Sequence, residues 1–179
     1  MKVRRIVTGH ASDGRSAFLE DGTPPWSKDF EHTPGFSSSV IWQTPPVPKR
    51  RHDGNDPTLI RQGFVPVPGG TTFVIVTMPP DSVMTDPTFD IAAAGAEHAA
   101  YAPGFVDYFE ADNPGMHTTP TIDYGIVLEG EISLELDDGR TKVLKPHDVV
   151  VQNGTRHAWR NTSGRAATLA FILIGSGGR

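Results

Sequence analysis

A chain of 179 residues with 37% hydrophobic and 21% charged residues has the composition of one folded domain, long enough to bury a core. Its formal charge of −5 gives no electrostatic reason to expect nucleic acid or an anionic membrane as partner. With no cysteine, disulfides, thiolate metal sites and cysteine nucleophiles are excluded, and 19 glycines with 16 prolines favour short turns over a helical bundle.

Met1-Lys2-Val3-Arg4-Arg5-Ile6-Val7 lacks the long apolar core of a secretion signal. No run approaches the roughly 20 apolar residues that span a bilayer, so a cytoplasmic protein without a membrane partner is expected. Residues 1–70 are polar and turn-rich, with short strands expected at 3–8, 16–19 and 39–43. Pro24-Pro25, Pro45-Pro46-Val47-Pro48 and Asp53-Gly54-Asn55-Asp56-Pro57 separate them as turns. This extension has too little patterned apolar surface to fold alone, and is expected to wrap the main domain or a neighbouring subunit. The basic run Lys49-Arg50-Arg51-His52 reads as a solvated loop.

A barrel domain is expected over 71–179. Its first strand, 71–78, is β-branched and aromatic, and Pro79-Pro80 ends it. Residues 81–113 read as an insertion. Within it the alanine-rich stretch from Asp90 to Tyr101 suits a short helix bracketed by Pro87 and Pro103. It is either a cap over the barrel mouth or a surface insertion packing its own aromatics. From Ile122 onward hairpins follow one another: 124–128 into 132–136, an Asp138-Gly139 turn, then 142–144, 149–152, 157–161 and 167–174. The strands at 73–78 and 167–174 are apolar on both faces, which predicts covering on both sides and hence a homodimer or a wrapping N-terminal segment.

The chemistry is concentrated in His117-Thr118-Thr119-Pro120-Thr121-Ile122-Asp123 and Gly154-Thr155-Arg156-His157-Ala158-Trp159-Arg160-Asn161. Strand alternation puts His157, Trp159 and Asn161 on one face, Asp123 with Gly125 and Val127 on another, and His117 with Thr119 on a third. An interior lined by His117, Thr119, Asp123, His157 and Trp159 follows, with Gly125 leaving room beside the carboxylate. Two imidazoles and a carboxylate are a ligand set for iron, manganese, nickel or zinc, and with open positions they suit non-haem Fe(II). Without a metal, His117 and His157 become acid/base candidates, since imidazole titrates near neutral pH.

These residues carry a resemblance to the small single-domain cupins. That family's first motif runs Gly-x5-His-x-His-x3–4-Glu-x6-Gly and its second Gly-x5-Pro-x-Gly-x2-His-x3-Asn. Here the first reads Ala111-x5-His117-x-Thr119-x3-Asp123-x6-Gly130, with every spacing kept. The second keeps Gly154-x2-His157-x3-Asn161, with Gln152 in the proline position and Pro146 or His147 in place of the opening glycine. Leu128-Glu129-Gly130-Glu131 matches the inter-motif turn. The resemblance covers residues 111–174, about a third of the chain. It implies an all-β double-stranded β-helix, a jelly-roll barrel with an N-terminal strand extension and a short helical insertion.

The family's ligands are three His and one Glu. Here Thr119 holds the second His position and Asp123, one methylene shorter, the Glu position, so the metal motif is degenerate. The implied function is an enzyme on a small organic molecule, with a divalent metal on His117, Asp123 and His157 and dioxygenase, decarboxylase, dehydratase or isomerase chemistry. Metal-free histidine acid/base catalysis and a small-ligand-binding module stand as alternatives. Tyr124, Phe73 and Phe171, with Trp42 and Ile75, are expected to join Thr119 and Trp159 as pocket walls, suiting an aromatic or terpenoid-like compound. His147, His10, His32 and His52 read as surface or loop positions, and His98 as part of the cap.

Overall fold

The computed structural model describes residues 2–52, 54–61 and 63–177. The N-terminal region forms β1 (Arg5–His10), β2 (Ser16–Gly22), β3 (Trp26–Asp29) and β4 (Ser37–Thr44). β5 (Thr71–Met78) precedes the helix α1 (Ile91–Tyr101). The second half contains β6 (Thr121–Glu129), β7 (Ile132–Glu135), β8 (Thr141–Leu144), β9 (Val149–Asn153), β10 (Ala158–Arg160) and β11 (Ala167–Gly175).

The strands are arranged as an all-β barrel. A six-stranded antiparallel sheet runs β3-β4-β5-β11-β6-β9, a three-stranded sheet runs β10-β7-β8, and β1-β2 form a separate hairpin. The two larger sheets meet where Val127, Ala167 and Leu169 of one pack on Ile132 of the other, all fully buried. β4, from the turn-rich N-terminal stretch, pairs with β5 from Ser37↔Thr77 to Thr44↔Thr71 and so extends the main sheet. The β1-β2 hairpin is tied to this body by buried Arg5. Its guanidinium pairs with Asp56 at 2.5 Å and with Glu20, and lies 5.5 Å from the Trp42 ring centroid.

Sequence dictates the turns. Asp138 and Gly139 both take positive φ, 59° and 67°, in the tight link between β7 and β8. Gly130 links β6 to β7 at φ 78°, where a Cβ would lie 2.5 Å from the Ala166 carbonyl oxygen. α1 begins where the Asp90 carboxylate accepts the Ala93 N–H at 2.9 Å, and its alanines favour the helix.

A second core lies at the other end of the barrel. Trp26, Phe30, Val40, Phe64, Val74 and Tyr101 pack together, so α1 is bound to the sheet through Tyr101. Trp26 Nε1 donates to the Tyr101 carbonyl at 3.1 Å, and the Tyr101 hydroxyl donates back to the Trp26 carbonyl at 3.2 Å. Burying one such aromatic contributes roughly 2–3 kcal/mol.

The face of the main sheet turned away from the barrel interior is also apolar. Register aligns Trp42, Phe73, Ile172, Tyr124 and Val151 in a row across five strands. Tyr124 and Val151 are 43% and 57% exposed there. Among the described residues no helix is long and apolar enough to cross a membrane.

Gly130→Ala is expected to destabilise the fold by about 2–4 kcal/mol, combining left-handed strain with a backbone clash. Gly139→Ala, whose added methyl meets nothing within 4 Å, carries only the strain, about 1 kcal/mol. Urea unfolding of both variants measures the difference.

Candidate functional site

His117 and His157 face each other across an isolated antiparallel bridge. Each backbone N–H donates to the other's carbonyl at 2.9 Å. The ring centroids are consequently 4.2 Å apart, and both side chains are buried. His117 Nδ1 lies 3.0 Å from the Gly115 carbonyl oxygen and His157 Nδ1 2.9 Å from that of Thr155. A carbonyl only accepts, so each Nδ1 carries the proton and each neutral ring keeps a lone pair on Nε2. Neither Nε2 takes a hydrogen bond among the described residues.

Thr119, Thr121 and Asp123 share the buried side of one extended segment. The Thr119 and Thr121 hydroxyls hydrogen-bond at 2.8 Å, and Thr121 in turn hydrogen-bonds the Asp123 carboxyl. The other oxygen, Asp123 Oδ1, is buried with no partner among the described residues. Gln152 is Asp123's neighbour on β9, but its amide is turned to Thr155 and leaves that oxygen unpaired.

Burial sets the protonation states. It pushes His117 down to about 4, with the neighbouring His157 adding to the shift, and it lowers His157 as well. The same burial pushes the Asp123 carboxyl up to about 6. At neutral pH the cavity therefore holds two uncharged imidazoles and, elsewhere on its wall, an Asp123 carboxyl that is mostly ionised and takes up a proton near pH 6.

These groups line one cavity of about 440 Å³. Its wall is mainly aromatic: Phe30, Phe36, Phe64, Phe105, Trp159 and Phe171. Phe109 stacks on the His117 ring at 4.4 Å, and Trp159 meets His157 edge-on at 6.1 Å. The space beside Gly125 is filled by the Phe171 and Trp159 rings, 3.2 and 3.8 Å from where a Cβ would stand.

Of the residues singled out from sequence, His117, Thr119, Asp123, His157, Trp159 and Phe171 line this cavity. Tyr124 and Phe73 do not, nor do Trp42 and Ile75. The pleat puts the first two on the outer row of the main sheet, next to inward-facing Asp123 and Val74. Among the described residues no three His, Asp or Glu side chains are gathered as a metal-ligand set. The expected triad of His117, Asp123 and His157 is thus not assembled as such: the imidazoles are paired, and Asp123 lies elsewhere on the same wall.

Sequence reasoning missed Phe30, Phe36 and Phe64, which come from short strands and loops with no periodic signal. Phe105 and Phe109 lie in the insertion expected either to cap the barrel mouth or to pack its own aromatics; they flank a single 3₁₀ turn at Val106–Tyr108 and line the cavity. His98, on the cap helix, also lines the cavity.

Residues 105–174 match the model of the cupin domain family. A 60-residue stretch is 59% identical to phomopsin biosynthesis cluster protein C′ of Diaporthe leptostromiformis, covering 33% of this chain and 32% of that protein. Similarity to the cupin-domain-containing oxidoreductase fogC of Aspergillus ruber runs over 177 residues at 25% identity, 97% of this chain and 72% of that protein. The matches to the first curated relatives span about a third of their length. Among solved structures, an RmlC-like cupin family protein from Methanocaldococcus jannaschii is 10% identical with a TM-score of 0.38, over 59% of this chain and 70% of that one.

The raised carboxyl has a measurable consequence. Unfolded, Asp123 ionises at the ordinary 3.8, whereas in the fold it holds its proton to about 6. Between those values the folded state binds the extra proton, so this group's contribution falls as pH rises, by about 3 kcal/mol in all. His117 acts in the opposite sense: unfolded it ionises at 6.5, folded at about 4, so its contribution is lost as pH falls across that window. Asp123→Asn mimics the protonated carboxyl. It is expected to match the native protein near pH 4 and to exceed it in stability by up to about 3 kcal/mol above pH 6. Denaturant unfolding across that range checks this, and an Asn variant no more stable than the native protein at neutral pH refutes the assignment.

Proposed function

We propose that this chain, which carries a cupin domain over residues 105–174, is an enzyme that moves a proton on a small, mainly aromatic organic molecule. The observation that carries the reading is the imidazole pair, two buried neutral rings 4.2 Å apart with both Nδ1 atoms fixed to backbone carbonyls. That anchoring holds each ring in one tautomer, so Nε2 is a preorganised proton acceptor. Asp123, protonated up to about 6, is the matching donor on the same wall.

An imidazole Nε2 takes a proton from substrate carbon or oxygen, and the Asp123 carboxyl returns one at a second atom. Return to carbon completes an isomerisation; delivery to a departing hydroxyl completes a dehydration and releases water. The aromatic walls exclude solvent, which strengthens each of these contacts. Trp159 and Phe109 bracket the imidazole pair and fix the plane of a bound ring.

A second reading has its own support in Asp123 Oδ1, a buried carboxylate oxygen with no partner among the described residues. Its donor chemistry suits a divalent ion. Two imidazoles with Nδ1 committed to carbonyls have the outer hydrogen bonds typical of metal-bound histidine. In that reading the paired His117 and His157 would supply two ligands, and Asp123, which stands apart from them on the same wall, would have to move closer to complete a site for iron, manganese, nickel or zinc; such an ion would supply Lewis acidity or, for iron, oxidation by dioxygen. Several relatives are named oxidoreductases, and a redox reaction requires such a co-reactant.

Metal analysis of protein purified without chelator, and again after anaerobic loading with Fe(II) or Mn(II), separates the two. The proton-transfer reading expects substoichiometric metal that His157→Ala leaves unchanged. One equivalent of metal, lost in both His117→Ala and His157→Ala, supports the second reading and overturns the first.

The outer apolar row of the main sheet supports a homodimer, since burying it against a second copy removes exposed Tyr124 and Val151 from water. Light scattering on the native chain is expected to report twice the 19.3 kDa monomer mass. Tyr124→Lys with Val151→Lys is expected to halve it without unfolding the chain; a native monomer refutes the proposal.

A further inference from the structure

The cavity has a second polar cluster, contributed by segments outside the cupin-domain match. Thr33, 2% exposed, stands in the loop between β3 and β4. Its hydroxyl lies 3.1 Å from His98 Nε2 on α1. Ser38, 3% exposed, is on β4 and hydrogen-bonds the Tyr101 hydroxyl. Thr33, Ser38, His98 and Tyr101 all line the same cavity as the imidazole pair.

The His98 ring is held in place. It stacks on Phe30 at 4.3 Å and meets Phe36 edge-on at 4.8 Å. Its helix is pinned from the other side, where Glu97 accepts the Glu31 and His32 N–H groups at 3.0 and 2.8 Å and pairs with Lys28 at 2.9 Å. A histidine with one nitrogen on Thr33 keeps the other for a further partner, and His98 Nδ1 takes no hydrogen bond among the described residues. Whichever tautomer is present, the Thr33–His98 pair retains hydrogen-bonding capacity for a bound molecule. Between this cluster and the imidazole pair the wall is apolar, with the Phe64 and Phe105 rings in tilted contact at 4.8 Å and Phe105 6.0 Å from the His117 ring.

We propose that Thr33, Ser38 and His98 form a distal recognition pole, so that the cavity selects an aromatic molecule with a hydroxyl or carbonyl group at each end. One end sits at the His117–His157 pair and the other at the Thr33–His98 pair, with the apolar middle against Phe64 and Phe105. The proposal rests on the reading of this cavity as the substrate site. The distal pole is a specificity device: it rewards a second polar group and penalises a purely apolar tail, which leaves buried polar atoms unpaired.

Three probe pairs of rising length test this by calorimetric titration: phenol and hydroquinone, naphthol and naphthalenediol, para-phenylphenol and para,para-biphenol. For the pair whose length matches the cavity, the second hydroxyl is expected to tighten binding about five- to tenfold. Thr33→Val and His98→Phe, which keep volume and the stack on Phe30, are expected to abolish that gain while moving the monohydroxy Kd less than twofold. His98→Gln is expected to restore part of it. The proposal is overturned if no pair shows a gain, if the gain survives both substitutions, or if both members of a pair weaken equally, which marks a packing role. Absence of binding by all six probes overturns it too. His157→Gln reports on the other pole: if it leaves every probe unchanged while His98→Phe removes the second-hydroxyl gain, the reacting-pole assignment fails and the distal pole stands.

Discussion

Two reciprocal backbone hydrogen bonds between residues forty positions apart organise the centre of this molecule. The His117–His157 bridge fixes where the segment before β6 meets the segment before β10, and it brings two imidazoles into contact as a by-product of strand pairing. Two ion-paired arginines keep the bridge from fraying. Arg156 grips Glu110 through two contacts of 2.6 and 2.7 Å. Arg160 reaches the Pro114 carbonyl at 2.6 Å while pairing with Glu135 at the same distance. Each arginine flanks the bridge on the β10 side and holds the facing 110–117 segment, so the imidazole pair rests on four anchoring contacts made outside the cavity's polar centre.

That geometry explains the electrostatics. Neither imidazole has a carboxylate beside it, and burial in aromatic surroundings is the dominant influence on both rings. The same surroundings act in the opposite sense on Asp123, whose neighbours in the register are threonine hydroxyls and a glutamine turned elsewhere. One cause acting on groups of opposite charge type thus inverts their ordinary order, with Asp123 at about 6 above His117 at about 4. The apolar wall therefore sets the protonation of the polar groups it surrounds as well as lining the cavity.

What the sequence made legible follows from the same register. His157, Trp159 and Asn161 alternate on a strand, as do Thr121, Asp123 and Gly125, and the pleat leaves them a single shared direction once the fold is a jelly roll. The spacing from His117 to Gly130 survived substitution of two motif residues because spacing encodes strand length and turn position, whereas ligand identity encodes chemistry. Phe73 was illegible because β5 is apolar on both faces, so period-two alternation carries no inside-outside information, and neighbouring Val74 took the interior position. Tyr124 was legible after all: on β6 the alternation that turns Asp123, Gly125 and Val127 inward turns Tyr124 outward. The rest of the upper wall had no pattern: Phe30, Phe36 and Phe64 are brought together by loops whose paths depend on tertiary contacts.

The cap helix shows how a segment with weak amphipathic patterning can still be placed accurately. α1 is mostly alanine, and only Ala94 and Tyr101 of it are fully buried. Its position is set by polar contacts on one flank, where Glu97 receives two backbone N–H groups and Lys28, and by the reciprocal Trp26–Tyr101 hydrogen bonds at its C-terminal end. Such contacts are directional, so they specify the rotation of the helix more sharply than an alanine stripe would. Rotation is what decides whether His98 meets Phe30 and Thr33 or solvent. The barrel half of the chain therefore supplies the imidazole pair and Asp123 through strand register, while the half outside the cupin match, through a few charged and aromatic contacts, shapes the far end of the cavity they share.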